Sequence, residues 1–272
     1  MDVTIQRLNG ASFIFSDYDI KTLDLVVDSP EPRTETETIE GADGYEDLGT
    51  TYGGRTLRGE FMLKAADTAD YPLLRNEVFR ILDSREAFYL IDSREPGKRW
   101  LVKVASKYSH EQIRIFGRFE VEFQSASAYS ESINTTMTPF ELTDYPWQIG
   151  QGLIDADDLV YKHSTTTFRI YNAGDVAVNP RRYPLTIKYT GASTNLQIKN
   201  LTTLDTWSYT GATTASDSLE LRRTRSLKNG VVNIFGDTNR KLITLAPGWN
   251  DFELVGVSGT YEVSFDFRFY YL

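Results

Sequence analysis

The sequence predicts a mainly β protein with one α-helix, organised as two domains. Three observations carry that expectation. Apolar and polar residues alternate over most of the 272 residues, the spacing of half-buried strands. One segment alone, "DTADYPLLRNEVFRILDSREAF", repeats apolar residues at helical intervals. In mid-chain, "SASAYSESINTT" (125–136) offers almost nothing to pack and reads as a linker.

The elements follow in order. Short β-like runs open the chain, with Phe13 and Phe15 alternating and "LDLVV" (23–27) behind them. Residues 28–54 are rich in Pro, Thr, Glu and Gly, the composition of a loop or exposed hairpin arm without a core of its own. "RTLRGEFMLKA" (55–65) is a strand with Leu57, Phe61 and Leu63 on one face. The helix has Asp70 as N-cap, Pro72 in its first turn and a stripe of Leu74, Val78, Ile81 and Leu82, and it stops near Asp83–Ser84. "AFYLID" (87–92) and "RWLVKVASKY" (99–108) form a hairpin, and 113–123 a strand with Ile113, Ile115, Gly117, Phe119, Val121 and Phe123 facing inward.

Beyond the tract, short alternating runs recur between turn residues, from "TTTFRIYNAG" (165–174) to "TYEVSFDFRFYYL" (260–272). That spacing predicts an antiparallel β-sandwich or jelly roll, with a hairpin bent at Pro247–Gly248.

Composition narrows the function. The net charge of −9 lies almost wholly in the first half, where residues 1–135 hold 24 acids against 16 cations. Nucleic-acid binding needs the reverse. No basic segment followed by an apolar run suggests a signal peptide, and no apolar run is long enough for a membrane span. The absence of Cys removes disulfides, thiolate zinc sites and cysteine nucleophiles, and suits folding in a reducing cytoplasm. His110 and His163 stand apart with no triad or metal motif around them, and "DADD" (155–158) lacks the glycine and distal glutamate of a calcium loop. No catalytic residue, metal site or cofactor is expected. The basic run "SLELRRTRS" (218–226) reads as a solvated strand and turn. Trp147, Trp207 and Trp249 read as packing, with a second reading open: Trp207 and Trp249 as stacking platforms for sugar rings.

By residue 132 the order of elements is specific: "IEGADG" (39–44), "YGGRTLRGEFML" (52–63), the capped helix, the "FYLID" hairpin and "GRFEVEFQSASAYSES" (117–132). This order resembles the N-terminal domain of the distal tail proteins, baseplate hub components of long, non-contractile bacteriophage tails. One departure is that the family's acidic turn commonly reads Gly-Arg-Asp-Gly, whereas here Ala42 stands in place of the arginine.

The resemblance implies a ring-forming domain at 1–135 and a galectin-like sandwich at 136–263, with 264–272 returning to the first domain. It implies a homohexamer in the virion tail, made in the host cytoplasm, that joins the tail tube protein to a tip or receptor-binding protein. DNA would pass its channel without specific binding. Interface residues would be Glu40, Asp43, Tyr45, Tyr52 and Arg55, on or beside the 28–54 arm. The alternative role is a carbohydrate-binding module for host glycans.

Overall fold

A computed structural model describes residues 1–140, 147–153 and 159–272. It is mainly β with one α-helix, as the alternation predicts. Its contacts divide the chain into Met1–Ser130 with Leu272, and Glu131–Tyr271.

The first unit contains β1 (Val3–Arg7), β2 (Ser12–Ile14), β3 (Ile20–Val27), β4 (Pro32–Glu37), β5 (Glu46–Tyr52), β6 (Arg55–Lys64), α1 (Tyr71–Ile81), β7 (Phe88–Asp92), β8 (Lys98–Val104), β9 (Glu111–Ile113) and β10 (Phe116–Ser125). Its antiparallel sheet runs in the order β2-β1-β7-β8-β10-β6-β3, with β9 on β10. Strand β10 alternates outward and inward throughout, burying Gly117, Phe119, Val121, Phe123 and Ser125. It pairs with β6 over its whole length, from Phe116 opposite Lys64 to Ser125 opposite Arg55. The strand expected over 113–123 begins later than its pattern implied. Arg114 adopts a left-handed φ of 56°, so the chain turns there, β9 folds back on β10, and Ile113 is 73% exposed.

Helix α1 buries Tyr71, Val78 and Ile81 in the core shared with Phe15, Phe61, Phe88, Phe119 and Phe123. Asp70 does stand at its N-cap position, but its carboxylate makes no capping bond and instead accepts from the Ala66 N–H at 3.0 Å. At the other end Arg7 of β1 donates to the carbonyls of Ile81 at 2.6 Å and Asp83 at 2.5 Å, tying the last turn to the sheet.

His110 stacks on this core. Its ring lies parallel to Phe119 at 4.4 Å, with Phe79 at 5.3 Å, and neither ring nitrogen has a hydrogen-bond partner. Burial, then the nearby Arg75 cation, pushes its pKa down to about 4 from 6.5. A histidine held neutral in the fold protonates more readily when unfolded. Its effect on stability is therefore neutral above pH 6.5 and increasingly unfavourable as pH falls towards 4. His110→Phe, which keeps the stack, is expected to lose less thermal stability than the wild type between pH 7 and 4.5. Equal losses in a calorimetric comparison would exclude this role.

The second unit contains β12 (Lys162–His163), β13 (Thr167–Asn172), β14 (Leu185–Asn200), β15 (Asp205–Ser208), β16 (Ala212–Thr213), β17 (Ser218–Arg222), β18 (Arg225–Lys228), β19 (Val232–Asn233), β20 (Gly248–Phe267) and β21 (Tyr270–Tyr271); β11 (Ser130–Ser132) spans the boundary. Two long antiparallel strands, β14 and β20, form its frame. Strands β17 and β12 flank one end of the pair, and β13 and β15 flank the other.

The frame is folded over on itself. Phe252 and Phe265 are 13 positions apart on β20, roughly 43 Å along a straight strand. Their rings nevertheless meet at 4.8 Å. Register shifts after Gly191 and Ser193 bend the pair. Gly256 (φ 86°) permits it, since a Cβ there would sit 2.4 Å from the Thr194 carbonyl. The halves thus pack face to face, as a sandwich requires. Runs that the sequence separates at 191–194 and 256–260 are single bent strands.

The hairpin expected at Pro247–Gly248 does not form. The Asn250 side chain accepts from the Ala246 N–H at 2.8 Å and donates to the Ala246 carbonyl at 2.8 Å. The bend it holds sends the preceding segment away, where Leu245 bridges Val178 instead of pairing with β20.

The tract 125–136 is not a solvated linker. Ser125, Ala128, Ser130, Ser132 and Thr136 are all buried. Within the second unit Ser132 N donates to the Phe269 carbonyl (2.9 Å), while Phe269 N donates to Ser132 Oγ (3.1 Å). Thr136 N donates to the Phe267 carbonyl (3.0 Å), and Phe267 N to Thr136 Oγ1 (3.1 Å). Small hydroxyl side chains stand in for part of a strand ladder here. By its contacts the closing segment 264–271 groups with the second unit and Leu272 with the first.

Candidate functional site

Residues 31–52 are exposed without exception, a run unmatched elsewhere among the described residues. They form a two-stranded arm, β4 on β5, that pairs with no other strand. Its base is fixed: Asp28 N donates to the Thr56 carbonyl (3.0 Å) and Gly53 N to the Glu31 carbonyl (2.9 Å). Beyond the base the strands run about 20 Å at 3.4 Å per residue. A bulge between Glu35 and Thr36 makes room for Leu48, and Asp47 Oδ1 accepts from the Gly49 N–H at 2.9 Å. A lone two-stranded ribbon is at best marginally stable in water.

Charge sets the chemistry of the arm. Residues 28–54 hold eight acids and one cation, Arg33. Asp28 pairs with Arg58 and Glu31 with Arg33, leaving Glu35, Glu37, Glu40, Asp43, Glu46 and Asp47 without an ion pair among the described residues. Glu37 stands directly opposite Glu46. Facing like charges weaken a ladder, and a cationic neighbour would relieve them. Between the acids Ile39, Tyr45, Leu48 and Tyr52 expose apolar surface, Tyr45 to 70%.

Of the predicted interface residues, Glu40, Asp43, Tyr45 and Tyr52 thus share this arm. Arg55 does not. It starts β6, is 8% exposed, lies over the Trp100 ring at 5.4 Å and donates to the Ala128 carbonyl, so it serves its own unit's packing. Burial lowers its pKa from the ordinary arginine value.

The sugar-stacking pair is not a pair. Trp207 is 1% exposed, with its indole N–H donated to Ser226 Oγ at 3.3 Å, and offers no face to a ligand. Trp249 is half-buried beside Tyr171 at 4.9 Å, under the Arg169 guanidinium at 4.6 Å. Trp147 is buried. His163 stacks on Phe168 at 4.4 Å, with a ring nitrogen 2.9 Å from the Val160 carbonyl. Among the described residues no cluster of three His, Asp or Glu side chains suits a metal. The "DADD" segment (155–158) lies outside the described residues.

Comparison with known proteins agrees with the geometry. Residues 4–125 match the phage tail protein RIFT-related domain family. The structure is similar to that of SPP1 Dit (gp 19.1), described as a paradigm of the hub adsorption apparatus in phages that infect Gram-positive hosts. The TM-score is 0.71 at 12% identity, over 98% of this chain and 99% of that one. Chains of the phage p2 baseplate in its activated conformation, with Sr and with Ca, give TM-scores of 0.46 and 0.48 at 8% identity, over 98% of this chain and 97% of theirs. Among curated proteins nothing matches. Residues 4–125, most of the first unit, thus match the phage tail protein RIFT-related domain family, and the chain over its length shares the fold of SPP1 Dit.

Proposed function

We propose that this structural tail protein works as a homohexameric ring. Its copies close head to tail through the arm of the first unit, join the tail tube to the tip or receptor-binding apparatus, and leave a channel through which DNA passes. The second units are galectin-like sandwiches.

The observation that carries this reading is the arm. It is clamped at its base, exposed along its length, studded with Tyr45, Leu48 and Tyr52, and short of partners within its own chain. Such an element suits a heterologous contact, in which one surface meets a different surface of the next copy and the series closes. The acidic surplus suits the channel, because a surface poor in cations does not retain a polyanion passing it. A glycan-binding role draws no support from Trp207, which is buried, and Trp249 alone makes no groove. The solution mass tests the proposal: six copies of the 30.9 kDa chain give about 185 kDa.

A further inference from the structure

The second unit carries a cationic face that the sequence scatters. β17 and β18 are joined by a tight turn through Arg223 and Thr224, and Arg222 stands directly opposite Arg225. Arg223 donates to the Arg182 carbonyl at 3.2 Å, bringing the 181–182 pair beside the turn. Pro180, Arg223 and Leu242 line one small cleft, which sets the 181–182 segment beside the turn. Arg181, Arg182, Arg222, Arg223 and Arg225 are all exposed. Only Arg222 has an acid in reach, Glu220 at 2.6 Å, which Lys188 also approaches at 3.5 Å. The other four arginines make no ion pair among the described residues.

Two surfaces of one chain are therefore charged in opposite senses, and neither is neutralised by the described residues. Each has a like-charge pair across a ladder, Glu37 with Glu46 on the arm and Arg222 with Arg225 on the turn. Carboxylates along a strand suit guanidinium forks, which bind them with two parallel hydrogen bonds.

We propose that the β17–β18 turn, with Arg181 and Arg182, is the receiving surface for the acidic arm of a second copy of this chain. This rests on the reading that copies assemble through the arm, and goes beyond it by naming the surface the arm meets. Charge complementarity selects this occupant. Among the described residues the arm has six acids without an ion pair, and the turn with the 181–182 pair has four such arginines; the arm pairs with no strand of the larger sheet.

Charge reversal in the full-length chain tests it. Arg181→Glu with Arg225→Glu alters two exposed side chains with no side-chain contact to lose, and Glu37→Lys with Glu46→Lys does the same on the arm. Each double variant is expected to raise the concentration needed for assembly by about tenfold or more, and the two combined to restore it. Circular dichroism and melting confirm that each variant folds. Assembly unchanged in both double variants would overturn the proposal and leave the ring reading standing. A wild type that stays monomeric at every concentration would overturn both. Retention of wild type on a polyphosphate matrix, lost in Arg181→Glu/Arg225→Glu with assembly unaffected, would assign the turn to an anionic polymer and also overturn the proposal.

Discussion

Replacing Phe265 with alanine is expected to destabilise the second unit by about 3–5 kcal/mol, the range for truncating a fully buried phenylalanine. Phe265 has no solvent exposure and holds Phe252 at 4.8 Å and Phe168 at 5.8 Å. Phe252 and Phe265 lie on opposite ends of one strand, so the cavity would open where the two halves of the bent frame meet. For a unit of this size the loss lowers the melting temperature by on the order of 10 °C. Calorimetry should show one of two transitions moving, because the chain divides into two units and each has its own core. A shift of under about 2 °C would mean that the folded-over frame is not what stabilises the sandwich.

Removing the arm should have the opposite profile, a large effect on assembly and little on folding. Glu31 and Gly53 are already joined by a 2.9 Å backbone hydrogen bond, so two glycines in place of residues 32–52 would close the sheet without strain. None of the deleted residues belongs to the buried core. The shortened chain is expected to melt within about 2 °C of the wild type, by the same reasoning that surface changes away from packed features cost little. It should nevertheless fail to form the six-fold species. Assembly at wild-type strength would move the interface elsewhere on the first unit.

Much of this was legible in the sequence because single-element patterns are local. The alternation of β10, the stripe of α1 and the apolar-poor composition of 28–54 each depend on neighbours a few positions away, and each element is present. What failed depended on distant contacts. A run of serines and alanines looks like a linker until Phe267 and Phe269 are seen to pair with it. A glycine between two alternating runs looks like a turn, yet at Gly191 and Gly256 the strand bends and continues. Trp207 and Trp249 look alike in sequence, and only packing tells the buried one from the half-buried one. Of the residues expected at an interface, four sit on the arm, while Arg55, three positions past Tyr52, is already buried. The arginine face was least visible, since residues 181–182 and 222–225 are brought together only by the Arg223 contact to Arg182.

The measurement that tests the account most directly is the mass of the full-length protein in solution, by light scattering over a dilution series. The ring predicts a species of about 185 kDa that falls towards 30.9 kDa on dilution. A mass of 30.9 kDa at every concentration would contradict it.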